Sequence, residues 1–394
     1  MTTLSSPSAS ADWLRLWRLL QQSSLSFHRL AAVWPTPAAI LSATPAEWRA
    51  AGASPGQAQR LARWQDGSDP ELVRELDEGV AADMDWCSGP NQRLLTLPDA
   101  DYPPLLREIA DPPPLLFLCG NPELLALPQV GIVGSRHPSH GGRQDAGVLA
   151  AELVQAGLVV TSGMARGIDG AAHAGALRAG GRTVAVLGCG ADTAYPREHG
   201  ALYRQIIDSG SLVVSEFLPG SRPLAAHFPR RNRVISGLSF GLLVVEATPD
   251  SGSLITARLA SEQGRTVWAL PGSRHHPQAQ GCLLLIREGA TLVTETAHIL
   301  ADLPAMVGFM RAQLELPTDV TAALPPTPAR PPLSKEARAL LLALGQECRH
   351  ADWLIGATGL PPAHVLQLLS RLELEGCVVA VPGGYERLPA GAVT

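Results

Sequence analysis

The sequence predicts an α/β fold whose extended core has a mostly parallel sheet, flanked by a small N-terminal all-α domain and a C-terminal winged helix. Between residues 105 and 303, short apolar runs recur, each followed by a Gly- and Ser-rich turn and a helical stretch. This alternation is typical of βαβ units around a buried parallel sheet. The 394 residues suggest two or three domains at about 150 residues each. With 46% hydrophobic residues and a net charge of -5, the chain is predicted to be folded.

Residues 11–95 are predicted to be helical. Trp13, Leu16, Trp17 and Leu20 have the i, i+3, i+4, i+7 spacing of an amphipathic helix. Short helical stretches then alternate with Pro, Gly and Ser breaks. We expect an N-terminal helical domain at 10–95, either of the helix-hairpin-helix type or of the sterile-alpha-motif type.

Seven apolar runs are the predicted strands of the core domain, at 96–305. They span residues 130–133, 158–161, 183–187, 212–214, 242–245, 267–270 and 291–293. Ligands of open parallel sheets bind at the carboxyl ends of the strands. The informative residues are therefore expected directly after these runs.

The C-terminal part begins with a Pro-rich linker at 306–332, which is expected to be stiff and extended. Three helices at 333–344, 351–358 and 362–375 and a hairpin at 378–385 then predict a winged helix at 333–390. The third helix carries Arg371 but also Glu373 and Glu375, whereas a helix that reads the major groove is normally more basic. We therefore favour a protein or intradomain contact over duplex binding for this module.

Glycine, serine and arginine residues follow three of the predicted strands. Small residues let a backbone approach a phosphate closely, and an arginine fork can then hold it. Tight turns and helix caps are the structural alternative. The residues in question are Gly134, Ser135 and Arg136 after the first run, Ser162, Gly163, Arg166 and Gly167 after the second, and Ser251, Gly252 and Ser253 after the fifth.

Two carboxylates beside these turns are expected to support the pocket. Asp169 is interpreted as a helix cap or as the partner that holds Arg166. Glu246 is interpreted as the anchor of a loop arginine. His173 and Cys189 are expected to be packed side chains, since neither has an evident catalytic partner in the sequence.

The densest positive cluster lies at 227–238, where three arginines fall within four residues next to Phe228. Arginines that hold phosphates and an aromatic ring that stacks on a base are typical of single-stranded nucleic-acid binding. Alternatively, this segment is a solvated helix start on which two of the three arginines point outward. Residues 131–300 carry 15 arginines, no lysine and 12 acidic residues, a charge of +3, so the rest of the chain is at -8. Codon bias accounts for the scarcity of lysine, but the positive charge is concentrated where the loops are.

Several classes of protein are disfavoured. The turns lack the complete G-x-G-x-x-G pattern, and the second strand does not end in an acidic residue, so a dehydrogenase is not expected. The six cysteines are scattered, so neither a zinc site nor a disulfide scaffold is predicted, and no cofactor is expected. No apolar run reaches the roughly 18 residues of a membrane span, and residues 1–7 lack an export signal. We expect a cytoplasmic protein.

The motifs Ser-Gly-x-Ala-x-Gly-Ile-Asp at 162–169 and Phe-Pro-x-Arg-Asn-Arg-x-Ile-Ser-Gly-Leu at 228–238 carry a family resemblance. The chain resembles the DNA-processing protein A family (DprA/Smf) over essentially all of residues 100–300. The resemblance implies an extended Rossmann-like core that binds single-stranded DNA without catalysis. It also implies a homodimer that loads the RecA recombinase onto incoming DNA during natural transformation and homologous recombination. One position departs from the family pattern, because Leu283 stands where the family commonly has asparagine.

The resemblance and the residue chemistry together give the predicted nucleic-acid contacts. They are Gly134, Ser135, Arg136, Ser162, Gly163, Arg166, Gly167, Phe228, Arg231, Asn232, Arg233, Ser236, Ser251, Gly252 and Ser253, with Asp169 and Glu246 as supports. Two alternatives stay open. One is a nucleotide-processing hydrolase that uses Glu216, Glu246 or Asp169 as acid or base in the same phosphate pocket. The other is an interaction scaffold in which the arginines are structural.

Overall fold

The computed structural model describes residues 7–303, 334–345, 348–374, 377–381 and 383–387. Its first part is helical: α1 Pro7–Leu19, α2 Ser24–Val33, α3 Pro37–Leu41, α4 Pro45–Ala50, α5 Pro55–Gln65 and α6 Pro70–Cys87. The Ser/Thr/Asp-Pro pairs in this region start helices. Thr36, Thr44, Ser54 and Asp69 each cap a helix that has proline at its first position. A side-chain acceptor followed by a proline with no N–H satisfies the helix N-terminus.

Within the described residues, nine strands form one sheet in the order β1-β2-β6-β5-β4-β3-β7-β8-β9. The strands are β1 Gln92–Thr96, β2 Leu115–Gly120, β3 Gln129–Val133, β4 Val159–Ser162, β5 Thr183–Val186, β6 Leu212–Ser215, β7 Gly241–Val244, β8 Thr266–Ala269 and β9 Thr291–Leu292. From β6 to β9 all neighbours are parallel, whereas β1 and β2 add an antiparallel margin. The predicted fold class is therefore confirmed.

The helices of the core connect these strands. They are α7 Pro104–Arg107, α8 His140–Gln155, α9 Ile168–Arg178, α10 Gly200–Asp208, α11 His227–Leu238, α12 Gly252–Glu262 and α13 Gln280–Arg287. The chain adds β4, β5 and β6 on one side of β3 and then crosses to add β7, β8 and β9 on the other. The point where the order reverses lies between β3 and β7, and a crevice forms there at the carboxyl ends of the strands.

Each predicted core strand lies within one residue of an observed strand, but β1 and β2 were not predicted. Residues up to 95 are predicted to be helical, whereas the last helix of that region ends at Cys87 and β1 begins at Gln92. β1 starts with polar residues and is only five residues long, so its sequence shows little periodicity. Its pairing with the fully apolar run of β2 makes it a strand.

A buried carboxylate fixes helix α11 to the sheet. Glu216 follows β6, is only 2% exposed, and accepts two hydrogen bonds from Arg233, at 2.9 Å from Nη1 and 2.8 Å from Nη2. The Nε atom of Arg230 lies 3.1 Å from Oε2 of the same carboxylate. We call Glu216, Arg230 and Arg233 the Glu216 clasp.

The Glu216 clasp also connects the core to the N-terminal helices. Arg233 donates from Nε to Oδ2 of Asp111 at 3.0 Å, and Asp111 accepts a hydrogen bond from the Ser24 hydroxyl of α2. Burial acts to raise the pKa of Asp111, but hydrogen bonds from His28 and Ser24 and the charge of Arg233 outweigh it, so this pKa lies below its ordinary value. The guanidinium of Arg230 lies 5.8 Å from the Trp17 ring of α1. The clasp therefore ties α1, α2 and α11 together.

The C-terminal part is a winged helix, as predicted. Helices Lys335–Leu344, Ala351–Thr358 and Pro362–Leu374 pack on a hairpin of β10 Val378–Val381 and β11 Gly384–Arg387. In the third helix, His364 lies 2.9 Å from Glu336 of the first helix, so this side chain serves a contact inside the domain. The predicted linker at 306–332 lies outside the described residues.

Replacing Glu216 with glutamine leaves two guanidinium groups without their shared carboxylate. We expect the free energy of unfolding to fall by about 3 kcal/mol, since removal of one partner from a buried ion pair strands the other charge. Urea unfolding followed by tryptophan fluorescence measures this. The matched control is Glu198→Gln, which breaks the exposed Arg166–Glu198 pair and should change stability by less than about 0.5 kcal/mol. Equal stabilities of the two variants would contradict a stabilising role for the clasp.

Candidate nucleic-acid interface

A cleft of about 410 Å³ lies where the strand order reverses, above the carboxyl ends of β3 and β7. It brings together turns that are distant in sequence. Of the predicted site residues, Gly134, Ser135, Arg136, Asp169, Phe228, Arg231, Asn232, Ser251, Gly252 and Ser253 line it, and His137, Thr248 and Gln278 join them. The structure thus assembles most of the predicted residues in one place.

The floor of the cleft is the turn after β3. Ser135 donates its N–H to the Glu246 carbonyl at 2.6 Å, and its own carbonyl accepts from the N–H of Ile168 at 3.1 Å. Two neighbouring turns are packed so closely here that side chains do not fit. Gly167 has a φ of +78°, and a Cβ atom on it would lie 2.3 Å from the Ser135 carbonyl oxygen. The glycine therefore permits the close approach of the two turns.

Glu246 anchors the same turn from the end of β7. Its carboxylate accepts from Ser139, at 2.8 Å from the N–H and 2.7 Å from the hydroxyl. Ser139 in turn caps α8 through the N–H of Gly142 at 2.9 Å. Glu246 therefore anchors a loop, as expected, but its partner is Ser139. The expectation of an arginine partner was wrong.

One wall of the cleft combines a cation with aromatic rings. Arg136 is exposed, and its guanidinium carbon lies 5.7 Å from the ring centroid of Phe228. The ring of Tyr195 lies on the same cluster, 5.6 Å from that of Phe228 and tilted by 31°. An exposed guanidinium beside aromatic rings can hold a phosphate while a base contacts the rings.

The opposite wall is the N-terminus of α12. Ser251 caps this helix, and its hydroxyl accepts from the N–H of Ser253 at 3.3 Å. Gly252, the first helical residue, is exposed at the cleft. The partial positive charge of a helix N-terminus favours an anion at this position.

A buried charge pair lies beneath the cleft. Arg231 is 4% exposed and donates from Nη1 to the carbonyl oxygens of Gly163 and Val186. Burial lowers its pKa to about 10, so it stays charged at neutral pH. Burial raises the pKa of Asp169, and the charge of Arg231 opposes this effect. Arg231 therefore adds positive potential from below the surface.

Six of the fifteen predicted contact residues do not line the cleft: Gly163 and Gly167 are buried, and the other four have partners elsewhere. Arg233 is held by the Glu216 clasp, and two of the three clustered arginines are buried, so the idea that two point outward was wrong. Ser162 donates its hydroxyl to the Ile132 carbonyl at 2.6 Å, and Ser236 donates within α11. Arg166 is exposed but pairs with Glu198 and has no ion pair with Asp169 among the described residues. Buried groups need partners, and the nearest partners here are internal.

Two features next to cleft residues are absent from the predicted set. Tyr195 is not in the predicted set, although it lies in the loop that follows β5. Residues 271–277 are all exposed and contain Arg274, His275 and His276 after β8, yet the predicted set stopped at Ser253. The signal that was available is the basic run directly behind a predicted strand.

The proposed acids and bases of an enzyme are all engaged in structural contacts. Glu216 binds two arginines, Glu246 binds Ser139, and Asp169 accepts from the Ala165 N–H at 3.2 Å. Burial lowers the pKa of His173 to about 3 and raises that of Cys189 to about 11, so neither is poised at neutral pH. Across the part of the chain that the structure describes, no group of three His, Cys, Asp or Glu residues is placed to hold a metal ion, and no helix could span a membrane.

Comparisons with known proteins agree with this architecture. The family described as DNA recombination-mediator protein A matches residues 93–304, and the DprA winged helix domain matches 324–384. Protein Smf of Escherichia coli is 41% identical over 315 residues, which cover 79% of this chain and 81% of that protein. DNA processing protein DprA of Streptococcus pneumoniae is 43% identical over 249 residues, which cover 58% of this chain and 88% of that protein.

A solved structure gives the same result for the fold. The X-ray structure of DprA from Streptococcus pneumoniae superposes with a TM-score of 0.64 at 35% identity, covering 74% of this chain and 97% of that one. The two family models thus match the core domain and the winged helix. The chain belongs to the DprA/Smf family of DNA-processing, recombination-mediator proteins.

Proposed function

We propose that this protein binds single-stranded DNA in the cleft between β3 and β7 and presents the strand to a RecA recombinase. The observation that supports this most is the arrangement of the two cleft walls. An exposed arginine lies over an aromatic ring on one side, and a helix N-terminus faces it on the other. Such a pair accommodates a phosphate and leaves a ring for the adjacent base.

Electrostatic attraction drives binding in this account. Arg136 contacts a phosphate directly, the N–H groups at the start of α12 contact it from the opposite wall, and Arg231 contributes its charge from below. No bond in the DNA is made or broken. The protein fixes the backbone, and the base contacts are tolerant of sequence because every base has a face that can stack.

The aromatic wall favours a single strand over a duplex. In a duplex, the faces of the bases are covered by their neighbours, and only phosphates and groove edges are accessible. An unpaired strand can turn a base toward Phe228 while its phosphate stays near Arg136. We therefore expect an equal length of duplex to compete poorly.

Transfer to RecA, a homodimer and action in the cytoplasm during natural transformation complete the proposal. They are supported by family membership. Light scattering of the purified chain tests the dimer. Recovery of RecA-dependent strand exchange on DNA coated with a single-strand-binding protein tests the loading step. A chain that binds DNA but gives no recovery would limit the proposal to binding.

The hydrolase alternative has a direct test, although the contacts of Glu216, Glu246 and Asp169 argue against it. Incubation with mononucleotides, followed by chromatography of the products, should return the nucleotides unchanged. The scaffold alternative agrees with the buried state of Arg231 and Arg233 but gives no role to the exposed Arg136. It predicts no DNA affinity at moderate salt.

Replacing Arg136 with alanine removes an exposed cation from the cleft. We expect weaker binding of oligo-dT and a slope of log K against log salt that is shallower by about 0.7, because one phosphate contact is lost. Fluorescence anisotropy across a salt series measures both quantities. The matched control is Arg182→Ala, an exposed arginine directly before β5 and hence at the opposite edge of the sheet. An unchanged slope in Arg136→Ala would remove this residue from the site.

Replacing Glu198 with glutamine should strengthen binding. The change removes an exposed carboxylate and releases Arg166, which follows the cleft residue Ala165, from its ion pair. We expect affinity for oligo-dT to rise a few-fold, since the repulsion between one carboxylate and one phosphate in water is about 1 kcal/mol at about 4 Å and less at longer distances. Glu123→Gln is the control, because Glu123 is exposed just after β2, at the opposite edge of the sheet. Weaker binding in Glu198→Gln would show that the pair itself shapes the site.

A further inference from the structure

Tyr195 is the more accessible ring of the aromatic cluster at the cleft. It is 38% exposed, whereas the ring of Phe228 is half-buried among three neighbours. Those neighbours are the Arg136 guanidinium, the ring of Tyr195 itself and Gly188, where even a Cβ atom would lie 2.9 Å from Phe228. A base that approaches from solvent therefore meets Tyr195 more readily than Phe228.

The loop that carries Tyr195 is held at several points. The hydroxyl of Tyr203 donates to the Ala191 carbonyl at 2.6 Å. The carboxylate of Asp192 accepts from the N–H of Gly220, at 3.0 Å from Oδ1 and 2.9 Å from Oδ2. On the C-terminal side of Tyr195, the Nδ1 atom of His199 lies 3.0 Å from the carbonyl oxygen of Met164. A ring on a fixed loop loses little conformational entropy when a ligand stacks on it.

We propose that Tyr195 forms a second subsite, which stacks on a nucleobase of the bound strand, and that Phe228 supports this ring and Arg136. This inference rests on the proposed function and adds the path that the DNA follows across the protein. β5 lies two strands from β3, about 10 Å away at the usual strand spacing. The DNA then runs from the N-terminus of α12 past Arg136 toward the end of β5.

The experiment separates base stacking from phosphate binding in the full-length chain. Wild type, Tyr195→Phe, Tyr195→Leu and Tyr195→Ala are titrated with oligo-dT and with an abasic oligomer of equal length, which keeps every phosphate. Both oligomers are measured by anisotropy across a salt series. Tyr195→Leu keeps apolar bulk without a ring, and Tyr195→Phe keeps the ring without the hydroxyl.

We expect Tyr195→Ala and Tyr195→Leu to bind oligo-dT about fivefold more weakly or worse, which is the lower range for one stacked base. Tyr195→Phe should bind like wild type. None of the three changes should alter binding of the abasic oligomer or the salt slope, because no charge is lost. A 2-aminopurine base in the strand should be quenched by wild type and less by Tyr195→Ala.

Two results would overturn the subsite. One is an unchanged affinity of Tyr195→Ala for oligo-dT. The other is an equal loss on both oligomers, which would make the side chain a support of the loop. Failure of the proposed function gives a different pattern, because wild type itself would then not bind oligo-dT at moderate salt.

Discussion

The neutralisation of buried charge on helix α11 is the constraint on which the site depends. This helix carries three arginines within four residues, and two of them are buried. Glu216 and Asp111 hold Arg233, and main-chain carbonyls hold Arg231. With these partners in place, the first two turns of α11 place Phe228 and Asn232 at the cleft. The contacts of Arg230 and Arg233 also fix the N-terminal helices to the core. A buried guanidinium without such partners would be costly.

The seven parallel strands could be predicted from the sequence because buried parallel strands are continuous apolar runs, and each predicted run lies within one residue of an observed strand. The strand order and the antiparallel strands β1 and β2 were not predicted. The turns after the strands converge because carboxyl ends of parallel strands share one edge. Gly167 was selected as a residue that lets the backbone approach a phosphate, whereas in the structure it permits the close approach of two protein turns. β1 could not be predicted because its strand conformation depends on pairing with β2, and pairing is not visible in the local sequence.

Side-chain roles were harder to predict than side-chain positions. An arginine that binds phosphate and an arginine that holds a buried carboxylate look alike in sequence, and only the fold shows that Glu216 lies next to Arg233. Ser162 and Ser236 illustrate the same problem, since each hydroxyl donates a hydrogen bond to a main-chain carbonyl of the protein. Tyr195 is the opposite case: its accessibility arises from the packing of Phe228 beneath it. In the proposed mode of binding, direct phosphate contacts are therefore fewer than the arginine count suggests, and backbone N–H groups contribute more.

The central claim is that single-stranded DNA occupies the cleft between β3 and β7. Amide hydrogen exchange of the full-length chain with and without saturating oligo-dT tests it most directly, because the N–H groups of the cleft are themselves the proposed ligands. We predict slower exchange in the turns at 134–139 and 251–256, with little change at the opposite edge of the sheet or in residues 335–387. Protection confined to residues 335–387, or its absence from both turns, would contradict the account.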